Sequence, residues 1–173
     1  MFQRKNNVKQ VSEEDALAKL AQLCSASEHC RQEMVDKCAR WGLSPEATGR
    51  VVARLEKEGF VDDSRFAPLF VRDKARFSGW GPVKVRMQLK AKGVDDFVAD
   101  DAIAAFDPGE WHDILLKALR SKLRSAPAPG EGEADKLSYG SRLFASLVRF
   151  ALQRGFEYDE VRRAIDQIAS DVE

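Results

Sequence analysis

Three stretches of the chain, WGLSPEATGRVVARL, KGVDDFVADDAIAAF and RGFEYDEVRRAIDQI, superimpose on a glycine, at Gly42, Gly93 and Gly155. This self-similarity limits the fold more than any other feature, because a repeat must be one supersecondary unit used again. Each glycine is followed by an apolar residue (Leu43, Val94, Phe156) and then by a residue able to cap a helix (Ser44, Asp95, Glu157), of which Glu157 is the weakest. Downstream, Val51 matches Ala102 and Ala164, Val52 matches Ile103 and Ile165, and Leu55 matches Phe106 and Ile168. Upstream, Met34, Val85 and Leu147 stand eight residues before the glycines, and Cys38, Leu89 and Ala151 four before. The pattern predicts a helix ended by a left-handed glycine, a short turn, and a second capped helix.

A further helix precedes each pair. Ser12–Cys24 carries Leu17, Leu20 and Leu23; Asp63–Phe77 carries Phe66, Phe70 and Phe77; Trp111–Leu123 carries Leu115, Leu116, Leu119 and Leu123 behind Asp107 and Pro108. The expected fold is therefore all-α, a tandem array of three three-helix repeats forming an elongated, curved molecule. Residues 1–11 read as a flexible tail, 12–61 as the first repeat, 62–106 as the second and 107–173 as the third. SAPAPGEGEAD, residues 125–135, is a Pro/Gly-rich loop inserted into the third repeat and expected to be mobile.

Two passages resist this reading. VKVRMQLK, residues 83–90, alternates apolar and polar side chains with the period of a half-buried strand. A helix is favoured because Pro82 and Gly93 stand where start and stop signals belong, and because Met, Gln, Leu, Lys and Ala are good helix formers. Pro68 lies about one turn inside the helix that Asp62 or Asp63 would cap, so either a kink or a delayed start is expected.

Charge narrows the function. The chain has 28 basic and 28 acidic residues, yet residues 72–92 sum to +6 and residues 93–113 to −7. The basic block would attract a polyanion or an acidic protein surface, unless the acidic block beside it neutralises it within the fold. With no apolar run of membrane-spanning length and no signal-like start in MFQRKNNVKQV, the chain reads as cytoplasmic. Its three cysteines, Cys24, Cys30 and Cys38, suit a reducing compartment.

No chemistry motif is complete. Gly79-Trp80-Gly81-Pro82 has neither the preceding strand nor the Gly-Lys-Ser/Thr of a phosphate-binding loop, so it reads as a chain reversal, with Trp80 either packed or exposed at a contact. Cys24, His29, Cys30 and Cys38 match no common zinc spacing, and two histidines support no catalytic constellation. No cofactor, metal or catalytic residue is expected. On a helical wheel of residues 82–92, Val85 and Leu89 share the core face, while Val83 and Met87 fall nearly opposite, beside Arg86 and Lys90. That outer face either packs on a neighbouring repeat or meets a partner. The candidate partner-binding set is Arg72, Lys74, Arg76, Trp80, Val83, Lys84, Arg86, Met87, Lys90 and Lys92.

The ordered string Asp63, Arg65, Phe66, Ala67, Phe70, Arg72, Gly81, Pro82, Leu89 and Gly93 resembles the motif of the RecX family of bacterial recombinase regulators. The resemblance extends more weakly over residues 12–173; Pro68 and the insertion in the third repeat depart from it. It implies arrays of three-helix repeats and binding to the RecA recombinase, especially its filament on single-stranded DNA. It also implies inhibition of filament growth, ATP hydrolysis and strand exchange by a monomeric, non-enzymatic regulator with weak direct DNA binding. Two rivals exist. Thr48–Val61 looks like the recognition helix and wing entry of a winged-helix DNA-binding protein, although DDSRFAPLFVRDKARF is a helical pattern where a wing needs strands. The other is a sequence-independent nucleic-acid binder using the basic block.

Overall fold

The computed structural model describes residues 11–126 and 141–171. Almost all of the expected tail and most of the expected loop at 125–135 lie outside these residues. Among the described residues there are nine α-helices and no strand: α1 (Glu13–Ala26), α2 (Arg31–Arg40), α3 (Pro45–Lys57), α4 (Asp63–Ser78), α5 (Pro82–Ala91), α6 (Asp96–Ala104), α7 (Pro108–Arg124), α8 (Arg142–Gln153) and α9 (Tyr158–Ser170). None is long and apolar enough to cross a membrane.

The glycine signal holds in all three places. Gly42, Gly93 and Gly155 have φ of 80°, 72° and 88°, the left-handed conformation that ends α2, α5 and α8. Ser44 and Asp95 accept hydrogen bonds from Ala47 and Phe97 backbone N–H groups, whereas Glu157 makes no such side-chain bond. Every residue four and eight positions before the glycines is buried. Of the downstream positions, Ile103 and Phe106 are half-buried and the rest buried.

The described residues form two compact units, those within 1–67 together with 92–94, and those within 68–91 together with 95–173. In the first, α3 packs on α1 and α2 around Leu20, Met34, Cys38, Val52 and Leu55. The first helical residue of α2, Arg31, follows Cys30, which offers no capping side chain; Asp63 Oδ1 instead accepts the Arg31 N–H at 2.8 Å. Arg65 donates to the Gly59 carbonyl at 3.0 Å and pairs with Glu28, fixing the chain beyond α3. Both residues belong to the motif string, and both act here as structural connectors.

In the second unit α5 packs on α6, and α7, α8 and α9 pack on one another. Residues 83–90 are helical throughout, because Val85 and Leu89, four apart, share one buried face while the intervening apolar residues point outward. Helix α4 begins at Asp63, not later: Asp62 Oδ1 accepts the Ser64 N–H at 2.8 Å, and Pro68 is carried inside the helix. The carbonyl that Pro68 leaves without a helical donor belongs to Ser64, an exposed residue. Phe77, the last aromatic residue of the α4 pattern, stays outside the core and is 85% exposed. The buried line along this part of α4 is Val71 and Ala75, roughly 120° and 160° around the helix from Phe77 at about 100° per residue.

The Gly-Trp-Gly-Pro turn does more than reverse the chain. Gly81 N–H donates to the Arg154 carbonyl at 2.7 Å and Val83 N–H to the Gly155 carbonyl at 3.1 Å, so the start of α5 is bonded to the end of α8. A Cβ on Gly81 would meet Gly155 O at 2.4 Å, and one on Gly155 would meet Lys84 N at 2.4 Å. Arg154 in turn donates to the Ser78 and Gly79 carbonyls at 3.1 and 3.3 Å, satisfying the C-terminus of α4.

Candidate partner-binding face

The structure divides the ten candidate residues into three groups. Five are cations held by carboxylates. Arg86 grips Asp100, with Nη2 to Oδ2 at 2.9 Å, and approaches Asp96 at 3.8 Å. Lys90 lies 3.5 Å from Asp96. Arg76 makes a two-pronged contact with Glu110 at 2.8 and 2.7 Å, and Arg72 lies 3.3 Å from Asp73. Lys92 pairs with Glu33 in the first unit and accepts the Cys30 thiol at its carbonyl, 3.7 Å away, so it is not gathered with the others.

Three of these five partners, Asp96, Asp100 and Glu110, come from the acidic block, so the two runs of charge neutralise each other in part. The hydrogen bonds from Arg86 hold the Asp100 carboxyl below its usual range, and those from Arg76 do the same for Glu110. Burial pushes Glu33 up, but hydrogen bonds from Lys92 and His29 outweigh it and its carboxyl is lowered overall.

Val83 and Met87 form the second group. They are 42% and 65% exposed on the outer face of α5, beside Arg86 and Lys90. The repeat register shows how unusual this is: the position of Met87 is occupied by Asp36 and Arg149 in the other repeats. Phe97, 78% exposed in the first turn of α6, was not singled out from the sequence, yet its equivalents are Glu46 and Asp159. An apolar residue where both sister repeats place a charge is the signal that finds it. The surface thus offers apolar groups beside a self-neutralised ladder of Arg86, Asp100, Asp96 and Lys90, the composition of a protein contact with a polar rim.

Lys74, Trp80 and Lys84 make the third group. The two ammonium groups lie 5.1 and 4.7 Å from the centre of the half-buried Trp80 ring. Trp80 is therefore neither fully packed nor free.

This chain is 32% identical over 143 residues to the regulatory protein RecX of Chromohalobacter salexigens, covering 83% of this chain and 86% of that one. The chain belongs to the RecX family. The RecX protein of Xanthomonas axonopodis pv. citri is 34% identical over 137 residues, 79% of this chain and 77% of its own length. Residues 62–103 match the family's second three-helix domain. Among solved structures, RecX from Lactobacillus salivarius superimposes with a TM-score of 0.70 over 90% of this chain and 97% of its own, at 20% identity. A second RecX crystal structure gives 0.73 over 92% and 73%, at 18% identity. These structures share the all-helical fold, and the RecX relatives are regulatory proteins by name. The winged-helix alternative fails on its wing, since the residues after α3 lead into α4 and no strand occurs among the described residues.

Proposed function

We propose that this chain binds the RecA recombinase, principally as a filament on single-stranded DNA, and inhibits filament growth, ATP hydrolysis and strand exchange. The observation that carries the reading is the exposed pair Val83 and Met87, standing where the sister repeats are polar or small and bordered by paired charges. Such a face favours burial against another protein, because desolvating already paired ions costs less than stripping free ones. The three-repeat division and the cytoplasmic, monomeric state belong to the same proposal.

The test is titration into RecA filaments on single-stranded DNA, following ATP hydrolysis and strand exchange. Substoichiometric protein is expected to depress both, and Val83→Ser with Met87→Ser to weaken inhibition at least tenfold with helicity unchanged. Charge reversal at Arg86 or Lys90 is a poorer probe, because it places a new carboxylate beside Asp96 and Asp100. Unaltered hydrolysis and exchange with the parent protein would refute the proposal.

A further inference from the structure

The junction between the last two helices of each repeat is filled differently each time. In the glycine register, Arg86, Lys90 and Asp96 of the second repeat correspond to Val35, Ala39 and Pro45 of the first and to Val148, Leu152 and Tyr158 of the third. The second repeat covers this place with ion pairs between α5 and α6, and the first leaves it to the small residues Ala39 and Pro45 beside a half-buried Val35. The third places large apolar side chains there, and Leu152 and Tyr158 are 45% and 40% exposed. Packing α8 on α9 does not require them, since the same junction closes over charged side chains in the second repeat. Among the described residues, Val148, Leu152 and Tyr158 join Phe144 and Ala145 in lining a furrow along α8. Its volume of about 690 Å³ lies within the roughly 300–1,000 Å³ of binding sites.

Charge is confined to one edge of the furrow. Arg149 is the charged residue of the lining, and Arg142 stands two turns before it on the same edge of α8, about 10 Å away at 1.5 Å per residue. Both are exposed, and among the described residues neither pairs with a carboxylate. Between Phe144 and Leu152 the furrow extends about 12 Å, two turns of a facing helix. Its walls are side chains of helices whose backbone groups are bonded internally, so an extended segment would find no ladder to join. A helix arrives with its own backbone satisfied and needs only side-chain contacts. Two guanidinium groups along one edge call for carboxylates on the occupant, and the apolar lining calls for an apolar stripe.

We infer that the α8 furrow receives an amphipathic helix from a protein partner, carrying an apolar stripe two turns long and carboxylates along the edge that meets Arg142 and Arg149. Leu152 and Tyr158 supply the apolar contact at the end of the furrow where α9 begins. The inference goes beyond the proposed function, because the furrow is built from α8 and α9 and uses neither Val83 nor Met87.

The experiment uses the full chain, with no recombinase present, and two fluorescein-labelled synthetic peptides of about eighteen residues, long enough to form helix. Both carry the same leucine stripe; one has glutamates along its edges and the other lysines. Fluorescence anisotropy of the glutamate peptide should show saturable binding below about 100 μM, about tenfold tighter than that of the lysine peptide at low salt. Leu152→Glu should weaken the glutamate peptide at least tenfold, and replacing the peptide's leucines by serine should abolish binding. Arg142→Glu with Arg149→Glu should reverse the order of the two peptides, an outcome that loss of structure cannot produce. Val83→Ser with Met87→Ser should leave peptide binding unchanged, with helicity and thermal midpoint checked for each protein. No saturable binding by the parent, parent-like binding by Leu152→Glu, or an unreversed order overturns the inference. So does sedimentation showing a concentration-dependent dimer that Leu152→Glu abolishes, which would make the furrow a contact between copies of this chain. A protein that inhibits filaments yet ignores both peptides keeps the proposed function and loses the furrow; the reverse result does the opposite.

Discussion

Replacing Gly155 by alanine isolates what the contact between the start of α5 and the end of α8 is worth. The added Cβ would stand 2.4 Å from both Lys84 N and Lys84 Cβ, and 2.9 Å from Lys84 Cα. Two of these three atoms are backbone, so no rotamer relieves the clash and the start of α5 must retreat by about 1 Å to reach ordinary contact. That retreat carries the Val83 N–H bond to Gly155, now 3.1 Å, and the Gly81 N–H bond to Arg154, now 2.7 Å, beyond good hydrogen-bonding distance. Two lost bonds at about 0.5–1.5 kcal/mol each, with overpacking of about 1–3 kcal/mol, give a docking loss of about 2–6 kcal/mol. Left-handed backbone adds about 1–2 kcal/mol for any non-glycine residue. Gly42→Ala supplies that second contribution alone, since Gly42 has φ of 80° and nothing within 4 Å of its added Cβ. Urea unfolding of both variants, with hydrogen exchange of the Gly81 and Val83 amides by mass spectrometry, reads the difference. Gly155→Ala should cost at least 2 kcal/mol more than Gly42→Ala and expose both amides; costs within about 0.5 kcal/mol of each other would refute the docking argument.

Two further outcomes follow from local geometry. Glu33 has a lowered carboxyl pKa, so its pairing with Lys92 and His29 contributes stability present above the unfolded-state pKa and lost as pH falls through the depressed folded one. Glu33→Gln should therefore destabilise by about 1 kcal/mol at neutral pH and by nothing measurable below the folded-state pKa, as urea midpoints across pH will show. Pro68→Ala should restore the α4 bond to the Ser64 carbonyl and raise stability by about 1–3 kcal/mol, measured by thermal or urea unfolding.

The helices were legible because their signals are local: a left-handed glycine, a cap and apolar residues four apart say the same thing three times. The buried line of α4 is not legible in the same way, because its apolar spacing has two solutions and only the packed neighbours select Val71 and Ala75 over Phe77. The glycine turn reads as a reversal from its sequence, and its second role stays hidden for a related reason. Its demand comes from Gly155, more than seventy positions away, which no local pattern reveals. At the candidate face the outward direction of Val83 and Met87 followed from helical geometry. Which cations are spent on carboxylates did not, because Arg76 finds Glu110 and Lys92 finds Glu33 only through the fold. The motif string proved largely architectural, with Asp63 capping α2, Arg65 holding the end of α3 and Gly81 permitting close backbone approach.

The ladder of Arg86, Asp100, Asp96 and Lys90 carries two positive and two negative charges, which sum to zero. A partner approaching Val83 and Met87 therefore feels little long-range pull, and its arrival belongs to the unsteered regime of about 10⁵–10⁶ M⁻¹s⁻¹. Tight attachment at such a face must come from slow departure, so occupancy would persist long after free protein has been diluted away.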